Sequence, residues 1–141
     1  MRQSKKSVLL ADDHPELLVE VRQLVATVFN VVGTVGDGQA LVELADALKP
    51  DVVVTDLRMP RLSGIDAART ILEHETCKAI VLLTVYDNPR LIETALEAGV
   101  LGYVLKATAG EELIPAIEAA LQGAVFISRR IQHPNRRQKG V

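Results

Sequence analysis

Cysteine and long apolar runs are both scarce in this chain, and each shortage closes off a class of protein. Cys77 is the single cysteine among 141 residues, so no internal disulfide can form. A lone thiol in an apolar neighbourhood packs more often than it reacts, which suits a reducing compartment. The start, Met1-Arg2-Gln3-Ser4-Lys5-Lys6, is basic, but Asp12 ends the apolar stretch Val8-Leu9-Leu10-Ala11 well short of a signal-peptide core. No run approaches the roughly 20 residues that cross a bilayer. A cytoplasmic protein without membrane contact is expected. A net charge of -2 and 48% hydrophobic residues describe one soluble domain. Such a domain is large enough to bury about two thirds of its unfolded surface.

What is present is organised around Val52-Val53-Val54-Thr55-Asp56-Leu57-Arg58-Met59-Pro60. The β-branched run suits a strand covered on both faces, and Pro60 stops regular structure just beyond it. Asp56 is therefore delivered to the rim of a sheet, although an acid there can also be an ordinary loop residue or helix cap. Ser7 to Ala11 reads as a first strand ending at the acidic pair Asp12-Asp13. Leu17, Leu18, Val21, Leu24, Val25 and Val28 then fall three and four apart, the period of an amphipathic helix, with Pro15 in its first turn. Asp13 and His14 are both open to a capping role, and no functional role is expected of His14.

Val31 to Val35 is a second strand, and Gly36-Asp37-Gly38 turns the chain into a helix from Gln39 to Leu48. Gly33, Gly36 and Gly38 lack the spacing of a dinucleotide-binding loop and read as turn glycines. Ser63-Gly64 opens a third helix running to about Glu75, with His74 on its wet face. Ala79 to Thr84 is the most apolar run, as a central parallel strand should be. Asn88 and Pro89 start a fourth helix that Gly99 stops. Leu101 to Leu105 is a fifth strand that contains Tyr103 and delivers Lys106 to the rim. Thr108 and Glu111 have capping-box spacing for a fifth helix ending at Gly123, with Pro115 either kinking its first turns or placing its start nearer Glu111.

Five strands alternating with five helices imply a doubly wound α/β domain, its parallel sheet covered on both faces. Ligands in such sheets bind at the carboxyl ends of the strands. Asp12, Asp13, Asp56, Thr84 and Lys106 all fall there, from four different strands. Three carboxylates within about 5 Å would repel by roughly 3 kcal/mol per pair at an effective dielectric near 20, so something positive must join them. All-oxygen ligands point to Mg²⁺ rather than zinc. A metal, a lysine and a hydroxyl around one exposed carboxylate suit phosphoryl transfer to that carboxylate, with Asp56 as nucleophile.

From about Ser7 to Gly123 the chain resembles the receiver domain of two-component response regulators, the chemotaxis-receiver type of flavodoxin-like fold. Asp12-Asp13 resemble the family's acidic pair, Asp56 its phospho-acceptor, Thr84 its signalling hydroxyl, Lys106 its lysine and Tyr103 its switch aromatic. Leu57-Arg58-Met59-Pro60 with Gly64, and Gly102-Tyr103-Val104-Leu105-Lys106, look most like receivers that precede a LuxR-type DNA-binding domain. The resemblance implies a five-stranded sheet in the order 2-1-3-4-5. It implies Mg²⁺ bound by Asp13, Asp56 and the backbone carbonyl of Arg58, with Asp12 acting mainly through water. It implies a histidine kinase as phosphodonor, a receiver that catalyses its own phosphorylation and dephosphorylation, and a switch through Thr84 and Tyr103. Homodimer formation and control of transcription are further implications. Val85 stands where a small residue is common, and Ala107 replaces a frequent proline, so no cis peptide is expected after Lys106.

Two other classes fit less well. A haloacid-dehalogenase-type phosphatase needs a second acid two residues after the nucleophile, where Arg58 stands. A receiver fold used only for docking would be expected to have lost site residues that are all present. The expected organisation is a basic N-terminal extension over residues 1–6, the receiver over 7–123, and a basic tail or linker over 124–141. Arg129, Arg130, Arg136, Arg137 and Lys139 carry that tail's charge, read as solvated. The tail is too short for a helix-turn-helix unit, so either an output domain lies outside this chain or the receiver stands alone. DNA contact is expected only through such a domain.

Overall fold

The computed structural model describes residues 5–132. Its strands are β1 (Ser7–Ala11), β2 (Asn30–Val35), β3 (Val52–Thr55), β4 (Ala79–Thr84), β5 (Gly102–Leu105) and β6 (Phe126–Ile127). The helices are α1 (Pro15–Ala26), α2 (Gly38–Leu48), α3 (Gly64–His74), α4 (Pro89–Glu97), α5 (Ala109–Leu121) and α6 (Arg129–Gln132). All pairings are parallel, in the order β2-β1-β3-β4-β5-β6. The implied order of the first five strands is therefore present, extended by a two-residue sixth strand that the sequence reading did not contain.

Strand alternation divides the core in two. Val8 and Leu10 of β1, with Val52 and Val54 of β3, face Val21 and Val25 of α1 and Leu113 and Ile117 of α5. Leu9, Ala11 and Val53 point the other way, towards Leu41 and Ala45 of α2, Ile71 of α3 and Ile92 of α4. β3, β4 and β5 are buried along their whole length, which is why they read as unbroken apolar runs. Cys77 is a core residue too, and burial pushes its thiol up to about 11, so it packs and does not react.

The helix starts follow their caps. Asp37, Ser63 and Asn88 each accept a hydrogen bond from the backbone of the first turn, onto which Pro89 is preset. At α5 the expectation needs correction. A 3-10 turn over Lys106–Thr108 runs into the helix at Ala109, so the Thr108 hydroxyl makes no cap bond and instead donates to Glu112 Oε1 at 2.6 Å. Pro115 lies inside the helix, whose start stays at Ala109 and does not move to Glu111. The stretch expected as a tail is also corrected at its beginning, because Phe126 and Ile127 pair with Gly102 and Tyr103 and Ser128 is fully buried. Arg136, Arg137 and Lys139 lie outside the described residues. No described peptide bond is cis, in line with Ala107 after Lys106.

Candidate functional site

The register of the sheet sets the strand ends side by side: Ala11 pairs with Thr55, Thr55 with Leu82, and Thr84 with Leu105. The residues just past these ends therefore share one edge. Asp12 and Asp56 extend the ladder by one backbone bond each, from Asp12 N–H to the Val35 carbonyl and from Asp56 N–H to the Ala11 carbonyl, both 3.0 Å. Both acids are 5% exposed. Two carboxylates held this far from water need a cation or hydrogen bonds.

Lys106 supplies the cation. Its ammonium lies 2.8 Å from Asp12 Oδ2 and 2.9 Å from Asp56 Oδ2, bridging the two. β5 is two strands, roughly 10 Å, from β3, and the Lys106 stem and the carboxylates reaching towards it close that gap between them. Burial lowers the lysine's proton affinity, but hydrogen bonds and charge from Asp12 and Asp56 outweigh it and leave the pKa raised. The other oxygen of Asp56, Oδ1, accepts from the Leu57 N–H at 2.6 Å. Asp56 is thus fixed by one amide and one movable charge. Gly64 holds the loop tight behind it. A Cβ at Gly64 would run into the Asp56 carbonyl oxygen, and one at Gly38 into that of Leu62, so both close approaches require glycine.

Asp13 stands at the mouth with its side chain 34% exposed. The His14 Nδ1 lies 3.0 Å from Asp12 Oδ1 and 3.1 Å from Asp13 Oδ1. No pattern around His14 pointed to this imidazole contact: the residue reads as a cap, yet its side chain makes no cap bond. One ligand atom from each of Asp12, Asp13, His14 and Asp56 falls within 4.8 Å of the others. Three carboxylates facing one ammonium leave a negative surplus, and the oxygen-rich set fits a hard divalent cation.

Thr84 closes β4, fully buried, and its hydroxyl accepts from the Tyr86 N–H at 3.3 Å. The Tyr103 ring is also buried, and its hydroxyl donates to the Tyr86 carbonyl at 2.6 Å. Burial first, then the negative charges of Asp87 and Asp56, push that phenol up to about 12. Arg58 lies over the Tyr86 ring, its Cζ 4.9 Å from the centroid. Tyr86 thus engages three expected site residues at once, by its ring, its N–H and its carbonyl. Nothing in its sequence position signalled this, because backbone contacts leave no side-chain pattern.

A parallel doubly wound sheet with an acid pair, a buried aspartate and a bridging lysine at its carboxyl edge defines a phospho-receiver architecture. The family model described as the response regulator receiver domain matches residues 8–118, and the chain belongs to that family. It is 42% identical over 129 residues to a transcriptional regulatory protein, YxjL, of Bacillus subtilis, covering 89% of this chain and 59% of that protein. It is 34% identical over 131 residues to the nitrate/nitrite response regulator NarL of Escherichia coli, covering 92% and 61%. A LuxR-family two-component response regulator from Aurantimonas superposes with a TM-score of 0.86 at 30% identity, over 98% of this chain and 100% of that one. The chain spans about six tenths of the curated relatives' length. It is a receiver domain of the LuxR/NarL type, from a group whose curated members are transcription regulators. No helix among the described residues is long and apolar enough to cross a membrane.

Proposed function

We propose that Asp56 accepts a phosphoryl group from the phosphohistidine of a histidine kinase and that the reaction requires Mg²⁺. The observation that carries this is the Lys106 ammonium shared between Asp12 and Asp56. An Asp56 oxygen forms the new O–P bond as the N–P bond of the donor breaks, and the donor imidazole keeps the electron pair. Lys106 is already within reach of the oxygen that Asp56 shares with it, so a short shift carries its charge onto the phosphoryl oxygens. Mg²⁺, when bound by Asp13, Asp56 and the Arg58 backbone carbonyl with Asp12 acting through water, supplies the remaining charge neutralisation. The carboxylate set supports that reading.

In moving to donate its proton to a phosphoryl oxygen, the Thr84 hydroxyl would pull on the Tyr86 N–H that it accepts from, and with it the loop that also carries the Tyr103 contact. Tyr103 is already fully buried, so the switch turns on how far Thr84 and Tyr86 move apart. The output is a protein surface that governs self-association or docking to a DNA-binding domain, and through it transcription. Intact mass after treatment with a small phosphodonor tests the assignment. One added phosphate is expected with Mg²⁺, and none in Asp56→Asn or after chelation. A full phosphate on Asp56→Asn would overturn it.

A further inference from the structure

Lys106 is bracketed by two hydrogen-bonded paths that meet on one buried carboxylate. On its N-terminal side the Leu105 N–H donates to the Ser128 hydroxyl at 2.9 Å, and that hydroxyl donates to Glu112 Oε1 at 2.6 Å. On its C-terminal side the Thr108 hydroxyl donates to the same Oε1 at 2.6 Å. Glu112 Oε2 accepts from the Arg129 N–H at 3.1 Å, and Ser128 N–H itself donates to the Tyr103 carbonyl at 2.9 Å. Glu112 is 9% exposed and Ser128 fully buried. Burial raises the glutamate's pKa, but the bonds from Ser128, Thr108 and the Arg129 backbone, with the Arg129 charge, leave it lowered. It is held as a carboxylate. Ser128 lies beyond residue 118, where the family match ends.

A lysine stem carries about 2 kcal/mol of rotamer freedom, so its reach across two strands depends on where its backbone is pinned. We propose that Glu112 and Ser128 are positioning residues for Lys106, so that the segment after β6 supports the acceptor site and its docking is coupled to the site's occupancy. The coupling runs both ways by linkage. A phosphoryl group that draws Lys106 alters the strain on Leu105 and Thr108, and Ser128 and Arg129 register it. This inference rests on the acceptor reading above. A plain structural staple would hold the segment in place equally well, but it would leave ligand affinity untouched.

The test uses the full chain, with Mg²⁺ and beryllofluoride as the phosphoryl probe, followed by amide NMR and calorimetric titration far below the melting temperature. In wild type the Ser128 and Arg129 amides are expected to shift on binding. Ser128→Ala should weaken the probe about tenfold, at the lower end of what supporting-residue changes cost at metal sites. Thr108→Val, nearly isosteric, should weaken it about threefold, and Ser128→Thr should recover most of the loss. Thr108→Val alone decides if Ser128→Ala does not fold. Unchanged affinity in the folded variants, or wild-type shifts that stop short of Ser128, would overturn the inference. A wild-type chain that does not bind the probe would instead overturn the acceptor reading.

Discussion

Asp56 and Glu112 are two carboxylates closed off from water, the first on the edge of the sheet and the second one turn into α5, and they are satisfied by different chemistry. Asp56 has one amide and a lysine ammonium that it shares with Asp12. Glu112 has two hydroxyls and one amide, all with fixed frames behind them. Charge held by a long, flexible cation can be handed to another cation or to a phosphoryl group. Charge held by short hydroxyls is a joint that stays put. The first arrangement suits an acid that must react, and the second an acid that must not move while its neighbour does.

Removing the partner separates the two most strongly. Lys106→Ala should leave Asp12 and Asp56 buried against each other and destabilise the protein by about 3–5 kcal/mol without divalent cation. Mg²⁺ should restore a good part of that. Urea denaturation with and without Mg²⁺ measures both, and a loss that Mg²⁺ ignores would mean the two acids are not part of one cation site.

Glu112→Ala should cost less, about 2–3 kcal/mol, because it strands two hydroxyls and an amide rather than a charge. Mg²⁺ should not change that cost. The lowered pKa of Glu112 fixes the sign of the pH dependence: its contribution is present above the unfolded value of 4.5 and disappears as pH falls through the folded one. Glu112→Gln should therefore flatten the acid limb of a stability-against-pH curve below pH 4.5 while leaving the alkaline limb alone. A variant with an unchanged acid limb would show that the carboxylate is not held in its charged form.

The alkaline limb belongs to the core. Tyr103 titrates near 12 in the fold against a reference of 10.0, so its stabilisation is complete below pH 10 and is lost as pH rises towards 12. Cys77, raised from 9.0 to about 11, acts in the same sense over a lower window. Tyr103→Phe should remove only the upper part of the slope and cost about 1 kcal/mol at neutral pH for the lost bond to the Tyr86 carbonyl. Thermal melts from pH 8 to 12 distinguish the two groups.

The difference between Asp56 and Glu112 also explains what could be read in advance. Asp56 ends a valine run, and ligands of a parallel sheet gather at the carboxyl ends of its strands, so Asp12, Asp13, Thr84 and Lys106 could be placed at that same edge, with the strand order supplied by the family resemblance. Caps and helix periods were equally local, and Pro15, Ser63 and Asn88 start their helices as expected, while Asp37, read as a turn residue, caps α2 one residue earlier than expected. Glu112 was invisible because its partners depend on two features without sequence periodicity. One is the 3-10 turn that leads into α5 and moves the partner of Thr108 from Glu111 to Glu112. The other is β6, two residues long and followed by two arginines whose charge read as solvent exposure. A short edge strand is defined by the strand it joins, here Gly102 and Tyr103, and not by its own composition.

The smallest effect expected is at Asp13, and it bears on how far the acceptor site is balanced by Lys106. The ammonium pairs with Asp12 and Asp56, whereas the side-chain partner of Asp13 is the largely exposed imidazole of His14. Asp13 therefore adds negative charge to a site whose one lysine is already shared, with no partner comparably buried. Partial exposure screens the resulting repulsion, which keeps the effect modest. Asp13→Ala should raise the melting temperature without divalent cation by about 1–3 °C, which for a domain of this size corresponds to a stabilisation under about 1 kcal/mol. Adding Mg²⁺ should stabilise wild type more than the variant and so narrow or reverse the gap, because the variant has lost one of the proposed ligands. A lower melting temperature for Asp13→Ala in the absence of cation would show that the contact with His14 at the head of α1 outweighs the repulsion. Asp13 would then belong with Glu112, as an acid that holds the fold, and not with Asp56.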